Sequence, residues 1–334
     1  MKALFIGGTG TISSAVASLA VQNDIELTLL NRGNHSEFAP EDVELLTADI
    51  NDEDAVSELI GTRKFDVIVD FIAYLPKQVQ RDIRLFSGKT RQYIFISSAS
   101  AYQKPAVNYR ITESTPLCNP YWRYSRDKIA CEEVLMATYR NDGFPITIVR
   151  PSHTYGDTKV PVSVHGKNGS WQVLDRIRSG KPVIVHGDGL SLWTFTHNSD
   201  FAKAFVGLMD NPHAIGEAVH ITSDETITWN AAFASIGKAL GIEPNLVHIP
   251  SEFLAAFDPD LLGNLIGDKA NSVIFDNTKI KTLVPGFCAS VRFDQGVKRA
   301  VDYVTTHPDC QIPDPDFDAW SDRVIAAYCS GMLK

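Results

Sequence analysis

A tyrosine and a lysine stand four residues apart in Tyr124-Ser125-Arg126-Asp127-Lys128, within a stretch whose pattern predicts a helix over 123–140. Both side chains then share one helix face, about one turn apart. A phenol with an ordinary pKa of about 10 is a poor base at neutral pH. An ammonium beside it stabilises the phenolate, lowers that pKa and lets the oxygen exchange a proton with a hydroxyl or carbonyl. An isolated pair at this spacing is ordinarily a surface pair, but its companions in the chain weigh against that here. Ile96-Ser97-Ser98-Ala99-Ser100-Ala101-Tyr102 follows a strand expected at 91–96, so the serines sit at the carboxyl edge of a sheet, where open α/β folds bind ligands. Ser98 and Ser100 can reach a substrate oxygen there, whereas Ser97 suits a polar turn. Earlier still, Gly7-Gly8-Thr9-Gly10-Thr11-Ile12-Ser13 lies between the apolar run Ala3-Leu4-Phe5-Ile6 and a helix expected over 12–22. Gly7 permits a tight turn and Gly10 a close approach of backbone to pyrophosphate, with the amides of Thr11 and Ile12 starting the helix against the phosphates. Ser13 stands where a third glycine is expected. The order of glycine turn, strand-end serine and Tyr-Lys pair predicts a dinucleotide cofactor beside a proton-transfer site, with Lys128 also within reach of the nicotinamide ribose.

These residues need a scaffold, and the apolar runs supply one. Strands are expected at 2–6, 25–30, 43–47, 66–70, 91–96 and 146–150, alternating with helices near 12–22, 52–60, 77–87 and 123–140. Asp66-Val67-Ile68-Val69-Asp70 and Tyr93-Ile94-Phe95-Ile96 read as strands covered on both faces, and right-handed crossovers give a doubly wound parallel Rossmann sheet. Beyond Arg150-Pro151 the connections lengthen, with helices expected near 170–179, 199–209, 229–240, 276–283 and 294–307. The reading is an α/β chain with a dinucleotide-binding domain over 1–150, a segment at 195–215 returning to it, and a smaller α/β substrate lobe interleaved through 151–334.

The formal charge of −9 at pH 7, without a basic run, argues against nucleic acid and membrane surfaces as partners. Five scattered cysteines without CxxC spacing suit reduced thiols. No signal-peptide pattern or membrane-length apolar run occurs, so a soluble cytoplasmic protein is expected. His153, His165 and His197 lie in connections as single histidines, without HExxH or clustered spacing, and no metal site is expected.

Taken together, these motifs resemble the extended short-chain dehydrogenase/reductase superfamily, the NAD-dependent epimerases, dehydratases and related reductases, and the resemblance covers most of the chain. The family's TGxxGxxG turn matches at Gly7 and Gly10 and departs at Ile6 and Ser13. Its S-x-x-x-Y motif carries onto Ser98 through Tyr102, and its YxxxK onto Tyr124 and Lys128. The resemblance implies an adenine contact at Ala48-Asp49-Ile50, a cofactor-side loop at Phe71-Ile72-Ala73, and a turn into the substrate lobe at Arg150-Pro151-Ser152-His153-Thr154-Tyr155-Gly156, with Pro151 and His153 beside the cofactor. Asn31-Arg32 stands where an NAD enzyme usually places an acid, and Arg32 can pair with a 2′-phosphate; NADP is expected, with NAD as the alternative.

No acid adjoins Ser98, so elimination and decarboxylation lack their usual extra group, while epimerisation or carbonyl reduction needs only hydride transfer and the Ser98, Tyr124, Lys128 set. The expected substrate is a small sugar-like secondary alcohol or ketone. Ser98, Ser100, Tyr124, His153 and Trp193 are its candidate contacts. Nucleotide-sugar relatives commonly carry a diphosphate-clamping Arg in the segment that resembles Gly187 to Phe195, where this chain has Leu192 and Trp193; a UDP-sugar is therefore in doubt. Two alternatives stand beside this reading: an RNA-binding role like that of the similar chloroplast stem-loop-binding proteins, and a noncatalytic NADP sensor. Similar proteins commonly form homodimers through helices corresponding to 77–87 and 123–140, and a homodimer is the expectation here.

Overall fold

Strands covered on both faces must be apolar at consecutive positions, and Ala3, Leu4, Phe5 and Ile6 are all inaccessible to solvent. They form β1 (Lys2–Ile6), the middle of a seven-stranded parallel sheet with β2 (Glu26–Asn31), β3 (Glu44–Thr47), β4 (Phe65–Asp70), β5 (Thr90–Ile96), β6 (Ile146–Pro151) and β7 (Ala218–Ile221). The strand order is β7-β6-β5-β4-β1-β2-β3. The chain winds outward from β1 to β3, then returns to β4 and winds the other way, so a crevice opens at the carboxyl ends of β1 and β4. This computed structural model describes residues 1–34 and 39–332.

Alternate strand residues face opposite layers. Phe5, Leu29, Val67, Val69 and Ile94 pack against α1 (Thr11–Gln22) and α6 (Asn198–Leu208) through Val16, Ala20, Phe201 and Phe205. Leu4, Ile6, Leu30, Ile68, Tyr93 and Phe95 pack against α2 (Glu53–Ile60), α3 (Pro76–Phe86) and α4 (Arg123–Asp142) through Val56, Val79, Phe86, Cys131 and Leu135. Each large apolar side chain buried this way contributes about 1.5–3 kcal/mol. The sandwich is rigid enough to hold groups at its edge.

A second apolar cluster lies around the parallel pair Val183–His186 and Leu246–Ile249, enclosed by α5 (Trp171–Arg178), α7 (Trp229–Leu240), α10 (Phe293–Thr306) and α11 (Pro315–Met332). Arg176, buried at its base, donates to the Pro182 carbonyl at 2.9 Å, Asp318 at 2.6 Å and Asp322 at 2.7 Å, which pins α11 onto α5. A shorter helix, α8 (Ser251–Phe257), and a π-helical segment Leu262–Lys269 complete this part, while α9 (Thr278–Leu283) packs through Ile280 into the layer of α1 and α6. No helix among the described residues is long and apolar enough to cross a membrane.

The sheet and its helices lie within a residue or two of their expected positions. Several shorter elements were not expected, among them β7 and the π-helical segment. β7 is only four residues long, and its pattern is broken by His220, a fully buried residue whose ring bonds the Tyr102 hydroxyl at 3.0 Å and the Asp276 carbonyl at 2.9 Å. The π-helical segment carries no periodicity of its own in Leu262 to Lys269, and its residues reach the site described next.

Candidate active site

At the end of β1 the Gly7 amide donates to the Leu30 carbonyl at 3.1 Å, and Gly7 turns with φ +82. A Cβ there would lie 2.4 Å from Ile72 Cγ2, so glycine is required twice over. Ser13, in place of a third glycine, does more than fit: its hydroxyl donates to the Gly7 carbonyl at 3.0 Å and accepts from the Gly10 amide at 2.8 Å. The turn is therefore closed by a side chain, and the Gly10 amide is already engaged. The free helix-starting amides are those of Thr11 and Ile12, whose position is anchored by Asn198 donating to the Thr11 carbonyl at 2.9 Å.

From this turn a groove of about 750 Å³ crosses the carboxyl ends of the strands. Gly7, Gly10, Thr11, Ile12, Asn31, Arg32, Asp49, Ile50, Phe71 and Ile72 line it, as do Asn51, Tyr74, Gln78, Ile96 and Thr154, which the sequence did not single out. Asn31 accepts from the Gly33 amide at 2.8 Å, but its buried Nδ2 has no partner among the described residues. Arg32 forms no hydrogen bond or ion pair among the described residues, although its charge, with bonds from Asn51, helps hold the Asp49 carboxyl below the ordinary range; the Asn51 backbone amide is the larger cause. At the other end the buried Thr154 hydroxyl is also unpaired among the described residues. Two orphaned polar groups in one groove fit a ligand with hydroxyl and phosphate oxygens along its length, as a dinucleotide has.

Beneath the groove, Asp70 at the end of β4 accepts from the amides of Ile72 at 2.6 Å and Ala73 at 2.8 Å, which shapes the loop expected at the cofactor. Arg81 on α3 donates to Asp70 at 3.1 Å, to Asp82 at 2.9 Å and to Asn51 at 2.9 Å, so one guanidinium joins the loops after β3 and β4. Burial, then the charge of Asp70, push the Asp82 carboxyl well up, and Tyr93 donates to it at 2.6 Å. Arg81 was not legible as a site residue: its partners lie elsewhere in the chain and meet only in the fold.

The Ser98, Tyr124 and Lys128 set expected from the sequence assembles beside this groove, with Ser98 and Tyr124 on the wall of a second cavity that Lys128 does not line. Ser98 caps a short helical turn over Ala99–Ala101 right after β5, and Tyr124 and Lys128 lie on the first turns of α4. The Ser98 hydroxyl faces the Tyr124 phenol and draws its pKa down, but burial outweighs it and pushes the phenol up to about 12. Lys128 is buried, with its ammonium 5.8 Å from the centre of the Tyr124 ring and donating to the carbonyls of Ala73 and Ile96, each at 2.7 Å. Burial brings it down to about 8. The expectation that Lys128 lowers the Tyr124 pKa is therefore not met here: carbonyls share the ammonium, and loss of water dominates the phenol. Ala73 serves as a carbonyl acceptor for Lys128 rather than as groove lining. Ser100, a candidate substrate contact, backs Ser98 at 2.8 Å and accepts from Ser125 at 2.8 Å, with Asn119 bonding Ser125 at 3.2 Å and the Gly267 carbonyl at 2.7 Å. Ser97 instead bonds Glu132, the buried partner of Arg150.

The second cavity, of about 250 Å³, is lined by Ser98, Ser100, Tyr124, Pro151, His153 and Trp193, and by Lys104, Trp122, Ser152, Thr194, Asp268, Lys269, Val273 and Phe275, which sequence reasoning missed. Pro151 and His153 thus line this cavity, not the groove. A parallel pair sets Phe195 opposite His153, and the Trp193 indole donates to His153 Nδ1 at 3.3 Å. Burial pushes the His153 imidazole down to about 3, so it is neutral, with Nδ1 as acceptor and its proton on Nε2.

A doubly wound sheet, a glycine turn at its switch point and a Ser-Tyr-Lys set at the mouth of a second lobe define a Rossmann-type protein built to hold a dinucleotide beside a reactive cavity. The chain belongs to the NAD dependent epimerase/dehydratase family, whose model matches residues 3–222. It is 26% identical over 258 residues to a 2′-dehydrokanamycin reductase of Streptomyces kanamyceticus, covering 76% of this chain and 71% of that one. It is 27% identical over 268 residues to the chloroplast stem-loop binding protein of 41 kDa b of Arabidopsis thaliana, covering 75% of this chain and 67% of the other. Among solved structures, dTDP-glucose 4,6-dehydratase from Bacillus anthracis, in complex with NAD, superposes with a TM-score of 0.75 at 18% identity over 93% of this chain and 98% of that chain.

Proposed function

We propose that the protein is a nicotinamide-dinucleotide-dependent enzyme that moves hydride at a secondary alcohol or ketone of a sugar-like substrate, in a carbonyl reduction or an epimerisation. The observation that carries this is the meeting of Ser98 and Tyr124 in one cavity wall beside the groove with its two orphaned polar groups. The bound dinucleotide supplies hydride. Gly7, Thr11 and Ile12 hold its pyrophosphate, Asn31 and Arg32 its adenosine ribose, and Thr154 lies at the opposite end. Arg32, without a hydrogen bond or ion pair among the described residues and beside the uncharged Asn31, favours a 2′-phosphate and hence NADP. Ser98 holds the substrate oxygen. Tyr124, raised to about 12, is protonated at neutral pH and gives its proton to the oxygen that becomes an alcohol. Lys128 keeps its charge at the base of the site between two carbonyls and positions the loop at Ala73.

An RNA-binding role has less support, because the formal charge is −9 and no arginine lines the cavity at Ser98 and Tyr124. The test is Tyr124→Phe, assayed with NADPH and a panel of keto sugars by loss of reduced-nicotinamide absorbance. Turnover is expected to fall by roughly 10²–10⁴-fold with cofactor affinity retained. A rate within a few-fold of the parent protein refutes Tyr124 as the proton donor.

A further inference from the structure

The cavity beside Ser98 and Tyr124 carries more charge than proton transfer requires. Lys104 lines it at 3% exposure, held in place by its amide donating to the Cys118 carbonyl at 2.8 Å, yet its ammonium has no hydrogen bond or ion pair among the described residues. Lys269, at the end of the π-helical segment, lines the same wall at 9% exposure and donates to Asn264. Between them in charge is Asp268, whose carboxylate feels both lysines but bonds neither. Two ammonium groups taken from water beside a single carboxylate are incompletely compensated, and such groups occur where an anion is received. The strain is visible in both signs: burial lowers Lys104, brings Lys269 down to about 8 and raises Asp268. The remaining titratable groups on the wall are Tyr124, protonated, and His153, neutral.

We propose that this cavity selects a substrate bearing a single carboxylate, a sugar acid of hexose size, with Lys104 and Lys269 receiving the carboxylate and Asp268 setting the charge balance. Two ammonium groups and one carboxylate leave one positive charge, which one carboxylate neutralises and a diphosphate overfills. The size agrees: about 250 Å³ lies below the roughly 300–1,000 Å³ of sites for larger ligands. Trp193, 5% exposed and tied to His153, offers no guanidinium for a diphosphate. This assignment deepens the proposed hydride-transfer function and rests on Ser98 and Tyr124 marking the reacting oxygen.

The experiment is calorimetric titration of the NADPH-loaded protein with D-glucuronate, D-galacturonate and D-gluconate, against D-glucose, D-galactose and UDP-glucose. At least one acid is expected to bind roughly tenfold or more tighter than its neutral counterpart and than UDP-glucose. Lys104→Met should weaken the acid by roughly thirtyfold or more. Asp268→Asn should tighten it, the opposite of what loss of a merely structural carboxylate does, and thermal unfolding of each variant checks folding. Equal affinity for acid and neutral sugar, no binding of any acid, an acid affinity unmoved by Lys104→Met, or weakening by Asp268→Asn overturns the proposal. Nicotinamide absorbance, followed in parallel on the NADP⁺-loaded protein, which can take hydride from the secondary alcohols of these ligands, separates the two ideas: acid binding without hydride exchange leaves the charge assignment standing and removes the proposed reaction. Turnover confined to the neutral sugars does the reverse.

Discussion

Replacing Arg81 with methionine removes the one cation shared by two fully buried carboxyl groups, Asp70 and Asp82, and the reach of the same guanidinium to Asn51 in the groove. Taking one partner from a buried ion cluster costs about 3–5 kcal/mol at neutral pH, a large share of the roughly 5–15 kcal/mol that holds an ordinary domain folded. The sign of the pH dependence follows from Asp82. Burial and Asp70 already hold its folded pKa well above the unfolded value, and Arg81 is a cause acting the other way. A raised carboxyl contributes its stability in full below the unfolded pKa, near about 4, and loses it as pH rises through the folded one. Without Arg81 that folded pKa climbs further, so the variant should be most damaged at neutral and alkaline pH and recover towards pH 5. Urea denaturation of parent and Arg81→Met proteins at about pH 5 and pH 8 measures both quantities, and Asp82→Asn added to the variant should restore part of the loss at pH 8. A loss below about 1 kcal/mol, or one equal at the two pH values, refutes the account of Arg81 as the counter-charge under the groove.

Arg32→Ala should weaken NADP binding by roughly tenfold or more while leaving NAD within a factor of about two, as expected when one charge-assisted contact to a phosphate is lost; fluorescence titration with each dinucleotide reads this, and a parallel loss for both removes Arg32 as the discriminator. Gly7→Ala must place a methyl group 2.4 Å from Ile72 Cγ2 at φ +82, so we expect about 1–3 kcal/mol of destabilisation and loss of dinucleotide affinity, checked by thermal unfolding with and without NADPH.

The sheet was legible because its physics is local. Strands buried on both faces are continuous apolar runs, the helices between them repeat their apolar residues every three to four positions, and a glycine turn between the two has few other uses. The same locality served the candidate site where its residues lie at element ends: Ser98 directly after β5, and Tyr124 and Lys128 one turn apart on α4. β7 escaped notice because His220 interrupts a four-residue run, and its burial is made tolerable by Tyr102, Asp276 and Glu113, distant in the chain.

What the chain determined unaided, then, is the order of the first six sheet strands and the helices between them, with a glycine turn, Ser98, Tyr124 and Lys128 placed at element ends. Only the tertiary structure decided how those groups titrate and what else meets them. Burial, which no spacing encodes, turns Tyr124 into a firm proton holder and pushes Lys128 down, against the effect expected of a neighbouring pair in water. Arg81 bridging two loops, Ser13 closing the turn in place of glycine, and Lys104 meeting Asp268 across more than 160 residues arise in the same way. Local pattern records which face of an element is dry; long-range contact alone settles which charges share that dryness.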